Sequence, residues 1–205
     1  MIKKSGKVKS IDAVKFFSSR LLKSLSRNVL DMNSTRDPLM LMGTAVSVGN
    51  LSGQKITHFP EIDLFQEMAP NAKKIYVVEP DNAYFKDLAT YAGKLPPDMQ
   101  KRMILVNEKA NHLRWVGPDG IWQGVSEGVV GLCYANLVFT KEIIDQYEIV
   151  ASLKGVTSVL KENGILAVER SDLLDYVYID KILQSAKLRE INPGDDYHLL
   201  LQKGR

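Results

Sequence analysis

The sequence predicts an α/β domain: a mostly parallel seven-stranded sheet with helices on both faces, closed by an antiparallel hairpin at the end of the chain. Three observations predict it. Short runs rich in Val and Ile, bounded by Gly, Pro or Asn, have the length and composition of buried strands. Amphipathic stretches of helical period lie between them. The last two runs are separated only by Asn192 to Asp196, too short for a helical crossover, so they must pair antiparallel.

Taken in order, the chain begins with a helix over residues 10–30. Ile11, Val14, Phe17, Leu21, Leu25 and Val29 recur at steps of three and four and share one face. Ser10 is placed to cap it, and Asp12 sits in the first turn, where the helix dipole favours an acid. Met32 to Pro38 is polar and reads as a linker. The chain therefore divides into a helical extension, residues 1–38, and an α/β domain, residues 39–205. The predicted strands are Ala45–Val48, Ile75–Val78, Met103–Val106, Val129–Tyr134, Ile165–Val168, Leu188–Ile191 and His198–Leu201. The predicted helices are Glu61–Met68, Asn82–Tyr91, Lys141–Leu160 and Leu173–Ser185. A Pro118-Asp119-Gly120 turn between Trp115 and Trp122 predicts a small inserted hairpin.

Charge is unevenly spread. Residues 1–30 hold eight Lys or Arg and one acid, a net +7, which leaves −4 for the rest of a chain whose total is +3. The extension is thus basic and the body mildly acidic. The single cysteine, Cys133, permits no internal disulfide and points to a reducing compartment, the cytoplasm. No apolar run approaches the ~20 residues that span a bilayer. His58, His112 and His198 are scattered, and no metal-ligand spacing appears.

Several stretches resemble the Rossmann-like class I S-adenosylmethionine-dependent methyltransferases, over roughly residues 40–203. Ser158–Glu169, SVLKENGILAVE, is similar to that family's helix, tight turn and fifth strand, with Gly164 expected in the left-handed region. The final helix and hairpin arrive in the family's order. Ala45–Gln54, AVSVGNLSGQ, is similar to its glycine-rich cofactor loop: Gly49 and Gly53 match the first and third glycines, Leu51 replaces the second, and Ser47 replaces the preceding acid. The loop is degenerate in those two positions.

The resemblance implies S-adenosylmethionine as cofactor. Gly49, Asn50, Ser52 and Gly53 would hold its methionyl part. Glu79, ending the second strand, would bind the ribose diol, because a carboxylate offers two coplanar acceptors. Lys109 and Ala110 would line the adenine, with Lys109 where the family has an acid. Tyr134 would border the reacting methyl group, and Asn136 would orient the acceptor as the catalytic residue. The acceptor itself, a small molecule, a protein or RNA, is not encoded in any motif.

Each of these residues also has a purely structural reading. The glycines could make an ordinary strand-to-helix turn, Glu79 a solvated strand end, and Asn136 a satisfied turn amide. Trp115 and Trp122 could be a cross-strand aromatic pair or a contact surface. The basic helix could be a lid, a surface for RNA or anionic lipid, or an organelle-targeting segment. Two other functions compete. One is a non-enzymatic relative that kept the fold as a binding scaffold, to which Ser47, Leu51 and Lys109 point. The other is a nicotinamide-dependent oxidoreductase, against which stand the missing G-x-G-x-x-G fingerprint and the closing hairpin.

Overall fold

The structure is a computed structural model that describes residues 19–21, 23, 25, 34–43, 56–136, 138–139, 148–174, 176–191 and 197–204. Its centre is a seven-stranded sheet in the order β3-β2-β1-β6-β7-β9-β8. The strands are β1 (Leu39–Met42), β2 (Ile75–Val78), β3 (Met103–Val106), β6 (Val130–Ala135), β7 (Leu160–Glu169), β8 (Leu188–Glu190) and β9 (His198–Lys203). The pairs β1–β2, β1–β6, β2–β3 and β6–β7 are parallel. β9 runs antiparallel to both β7 and β8, which closes the sheet with the expected hairpin.

The first strand is a correction. β1 is Leu39–Met42, all four residues buried, and the predicted strand Ala45–Val48 lies outside the described residues. Leu39-Met40-Leu41-Met42 is a continuous apolar run, the signature of a strand buried on both faces. The β-branched residues that follow drew the sequence reading too far along the chain.

Alternation along β1 assigns the two faces. Leu39 and Leu41 point into one core with Phe59, Ile62, Phe65 and Leu88. Met40 and Met42 point into the other, with Ile149, Leu153, Val156 and Leu183. The first core is covered by helices α1 (Pro60–Met68) and α2 (Asn82–Ala92), the second by α4 (Glu148–Val159) and α6 (Ile179–Ser185); α3 (Pro97–Arg102) leads into β3 and α5 (Arg170–Leu174) leaves β7. Burying each large aliphatic or aromatic side chain contributes about 1.5–3 kcal/mol. Leu21 and Leu25, helical residues of the basic extension, are fully buried in the first core. These two residues pack on the domain.

Two turns differ from expectation. At the end of α4 the left-handed residue is Asn163, φ 60°, not Gly164. Gly164 is required for another reason: a Cβ there would sit 3.0 Å from the Val130 carbonyl and 2.9 Å from that of Lys161. The predicted helix Leu173–Ser185 is two short helices, α5 and α6, broken before Tyr178 at φ 62°. The inserted hairpin is present as β4 (Arg114–Val116) and β5 (Trp122–Gly124), with Gly120 at φ 76° in its turn. Its register sets Trp115 opposite Gln123 and Trp122 opposite Val116, so the tryptophans are not cross-strand partners.

Candidate functional site

The strand order reverses direction at β1, which is flanked by β2 on one side and β6 on the other. A ligand crevice forms at the carboxyl ends of the strands at such a point. A pocket of about 70 Å³ lies there, walled by Met42 and Gly43 after β1, Val78–Pro80 after β2, Glu108 and Ala110 after β3, and Val138 after β6.

Gly43 fixes how closely β1 and β6 approach at this mouth. Asn136 N–H donates to the Met42 carbonyl at 3.1 Å, extending the pairing by one residue. Gly43 then turns at φ 77°, and a Cβ on it would fall 2.0 Å from the Asn136 carbonyl oxygen. Only glycine meets both conditions.

Glu79 is 4% exposed at the end of β2 and forms part of the pocket wall. Its backbone N–H donates to the Val106 carbonyl at 3.0 Å, and its Oε1 accepts from Asp81 N–H at 3.0 Å. Asp81 in turn caps α2, accepting from Ala83 N–H at 2.7 Å and Tyr84 N–H at 3.0 Å. The bond from Asp81 N–H helps to orient the carboxylate, whose two oxygens can each accept more than one hydrogen bond.

On the β3 side the wall differs from the sequence reading. Lys109 is exposed and outside the wall, whereas Glu108 and Ala110 form it. Glu108 lies 3.8 Å from His112. Ala110 opens a short 3-10 turn, Ala110–His112, held against α4 by close backbone packing. A Cβ on Gly155 of α4 would fall 2.0 Å from the Ala110 carbonyl oxygen. That helix glycine therefore sets the depth of the wall.

On the β6 side Asn136 is 2% exposed, and its Nδ2 donates to Glu61 Oε1 at 3.4 Å. Glu61, in the first turn of α1, is itself 3% exposed. Tyr134 does not reach the pocket: its ring stacks on Phe65, centroids 5.6 Å apart, and lies 6.1 Å from His198. Cys133 is buried with Sγ 3.7 Å from Met42 Sδ, and burial pushes its thiol pKa up, so it is a core residue and not a nucleophile.

The predicted residues Gly49, Asn50, Ser52 and Gly53 lie outside the described residues. The structure brings together Glu79, Ala110 and Asn136, and adds Gly43, Glu61 and Glu108. A glycine directly after an all-apolar run was the signal for Gly43. For Glu61 and Glu108 no local signal exists, because their place follows from packing. Among the described residues no group of His, Cys, Asp and Glu could hold a metal, and no helix is long and apolar enough to cross a membrane.

No family model matches the sequence, and neither does any curated protein. Solved structures match its fold. N-methyltransferase NodS from Bradyrhizobium japonicum WM9, in complex with S-adenosyl-L-homocysteine, aligns at TM-score 0.56 and 12% identity over 94% of this chain and 88% of that one. A SAM-dependent methyltransferase from Aquifex aeolicus aligns at 0.55 and 13% over 95% and 98%. The [4+2]-cyclase SpnF aligns at 0.57 and 15% over 93% and 62%. The chain has the Rossmann-like methyltransferase fold.

Proposed function

We propose that the chain binds S-adenosylmethionine across the carboxyl ends of β2, β1 and β6 and transfers its methyl group to an acceptor. The observation that carries this reading is Glu79, a buried carboxylate oriented by Asp81 N–H at 3.0 Å and facing the pocket at the end of β2. A vicinal diol is the natural partner of such a group. Glu108 and Ala110 would then lie along the base, and Gly43 beneath the chain linking ribose to sulfur.

When bound, the cofactor supplies a methyl group already activated by the sulfonium charge. The residues need only align the acceptor and exclude water, so the reaction requires neither a protein nucleophile nor a metal. Asn136, buried at the mouth of β6, would orient the acceptor. The described walls enclose about 70 Å³, against roughly 300–1,000 Å³ for typical small-molecule sites.

Calorimetric titration with S-adenosylmethionine and S-adenosylhomocysteine tests the reading. Micromolar binding is expected, weakened at least about tenfold in Glu79→Ala by loss of a charge-assisted hydrogen bond. The competing reading is a scaffold that kept the fold without the cofactor, to which Ser47, Leu51 and Lys109 point. Absence of binding to either ligand by folded protein selects it.

A further inference from the structure

We infer that Glu61 is the anchor for the α-ammonium of the bound cofactor, supplied by helix α1 because β1 offers no carboxylate. The inference rests on the reading of the site given above.

The strand order fixes the direction in which an adenosyl ligand must lie. Glu79 on β2 takes the ribose, and Glu108 and Ala110 after β3 flank the base side. The opposite end of the ligand then extends over β1 towards β6, the next strand in the sheet. In S-adenosylmethionine that end is an amino acid, with an ammonium and a carboxylate on one carbon. Burying an ammonium requires an opposite charge within hydrogen-bond reach.

β1 cannot provide it, being Leu39-Met40-Leu41-Met42. Among the described residues a charged side chain buried beside this end comes from α1. Glu61 contacts Asn136 through its Oε1, and the Asn136 backbone abuts Gly43, so the three residues are contiguous. A carboxylate accepts several hydrogen bonds, so an ammonium can bind it while its Asn136 contact persists. Glu61 also stands in the first turn of α1, where the helix dipole favours negative charge.

The test is a thermodynamic cycle read by calorimetry. It uses the full chain and its Glu61→Gln variant. The ligands are S-adenosylhomocysteine and the deaminated analogue, which keeps the carboxylate and has hydrogen in place of the ammonium. Glutamine preserves the size of the side chain and a polar contact to Asn136 while removing the charge. The expected result is at least a tenfold loss of S-adenosylhomocysteine affinity in Glu61→Gln, with less than a twofold change for the deaminated analogue. Wild-type protein alone should discriminate at least tenfold between the two ligands, which keeps the test decisive if the variant does not fold. Equal losses for both ligands in a folded variant, or wild-type affinities within twofold of each other, overturn the role of Glu61 and leave the cofactor site standing. Failure of wild-type protein to bind either ligand overturns the site itself and Glu61 with it.

Discussion

The two ends of the sheet are charged in opposite senses. At the carboxyl ends of the parallel strands Glu79 and Glu108 line a pocket of about 70 Å³, and Glu61 lies beyond its wall against Asn136. At the amino ends, where α4 and α6 finish, Lys154, Lys187 and Lys203 surround a larger groove of about 390 Å³. Helix dipoles account for the sign at both ends, since helices start at the first and stop at the second. What separates the ends is where their polar atoms are aimed. In the groove the Thr157, Ser158 and Ser185 hydroxyls donate to carbonyls of their own helices, at 3.0, 2.7 and 2.8 Å. Lys203 Nζ donates to the Leu160 carbonyl at 2.7 Å. Burial first, and then Lys187, hold the Lys203 ammonium below its ordinary pKa, against Glu127 and Glu162. The groove is mainly two helix ends being neutralised. The smaller pocket has two carboxylate residues, Glu79 and Glu108, in its wall.

The sharpest way to break this contrast is Gly43→Ala. The methyl group meets the Asn136 carbonyl at 2.0 Å, and the backbone is held at φ 77°. Left-handed strain and overpacking together predict a loss of about 3 kcal/mol or more, read as a lower denaturant midpoint. A midpoint shift below about 1 kcal/mol would mean that the β1–β6 mouth opens readily and does not set the site.

Gly155→Ala is expected to act next most strongly, and at a distance. Alanine is the better helix former by about 1 kcal/mol, yet its Cβ would displace the Ala110 carbonyl. Affinity for S-adenosylhomocysteine should fall several-fold. Unchanged affinity would show that the β3 wall does not touch the ligand.

These two glycines also mark how far the sequence could be read. Strands Ile75–Val78 and Met103–Val106 were legible to the residue, because apolar runs bounded by polar residues have one interpretation. β1, Leu39–Met42, was not, because a second apolar stretch follows it directly and the sequence does not say which of the two heads the sheet. The place of Glu79 directly after β2 was legible with that strand. Glu108 was hidden by its neighbour: Lys109 occupies the position the resemblance points to, but Glu108 and Ala110 are the residues in the pocket wall. Glu61 reads as a common first-turn acid until Asn136, 75 residues away, is brought against it.

Neutralising the groove tests the contrast from the other side. Replacement of Lys154, Lys187 and Lys203 by Met should leave affinity for S-adenosylhomocysteine within about twofold, since ions at this distance are screened. A tenfold loss would transfer the ligand to the groove. Lys187→Gly, which releases a side chain from φ 55°, should raise stability by up to about 1 kcal/mol.

The smallest effect expected concerns the flank that carries Glu61. Tyr91 of α2 donates its hydroxyl proton to Asp63 Oδ1, two residues beyond Glu61 on α1, and His58 Nε2 lies 3.5 Å from the other Asp63 oxygen. Burial, and then Asp63, push the Tyr91 phenol above its ordinary pKa of 10.0. The unfolded chain therefore releases this proton first as pH rises, and the folded state holds more protons above about 10. Stability should fall through that range. Cys133 and Tyr76, also raised by burial, act in the same direction. Tyr91→Phe should cost about 1 kcal/mol at neutral pH and flatten the alkaline decline. Ligand affinity should stay within twofold if Asp63 only anchors the helix. An affinity loss matching that of Glu61→Gln would mean that the position of α1, and not the charge of Glu61, controls the methionyl end of the site.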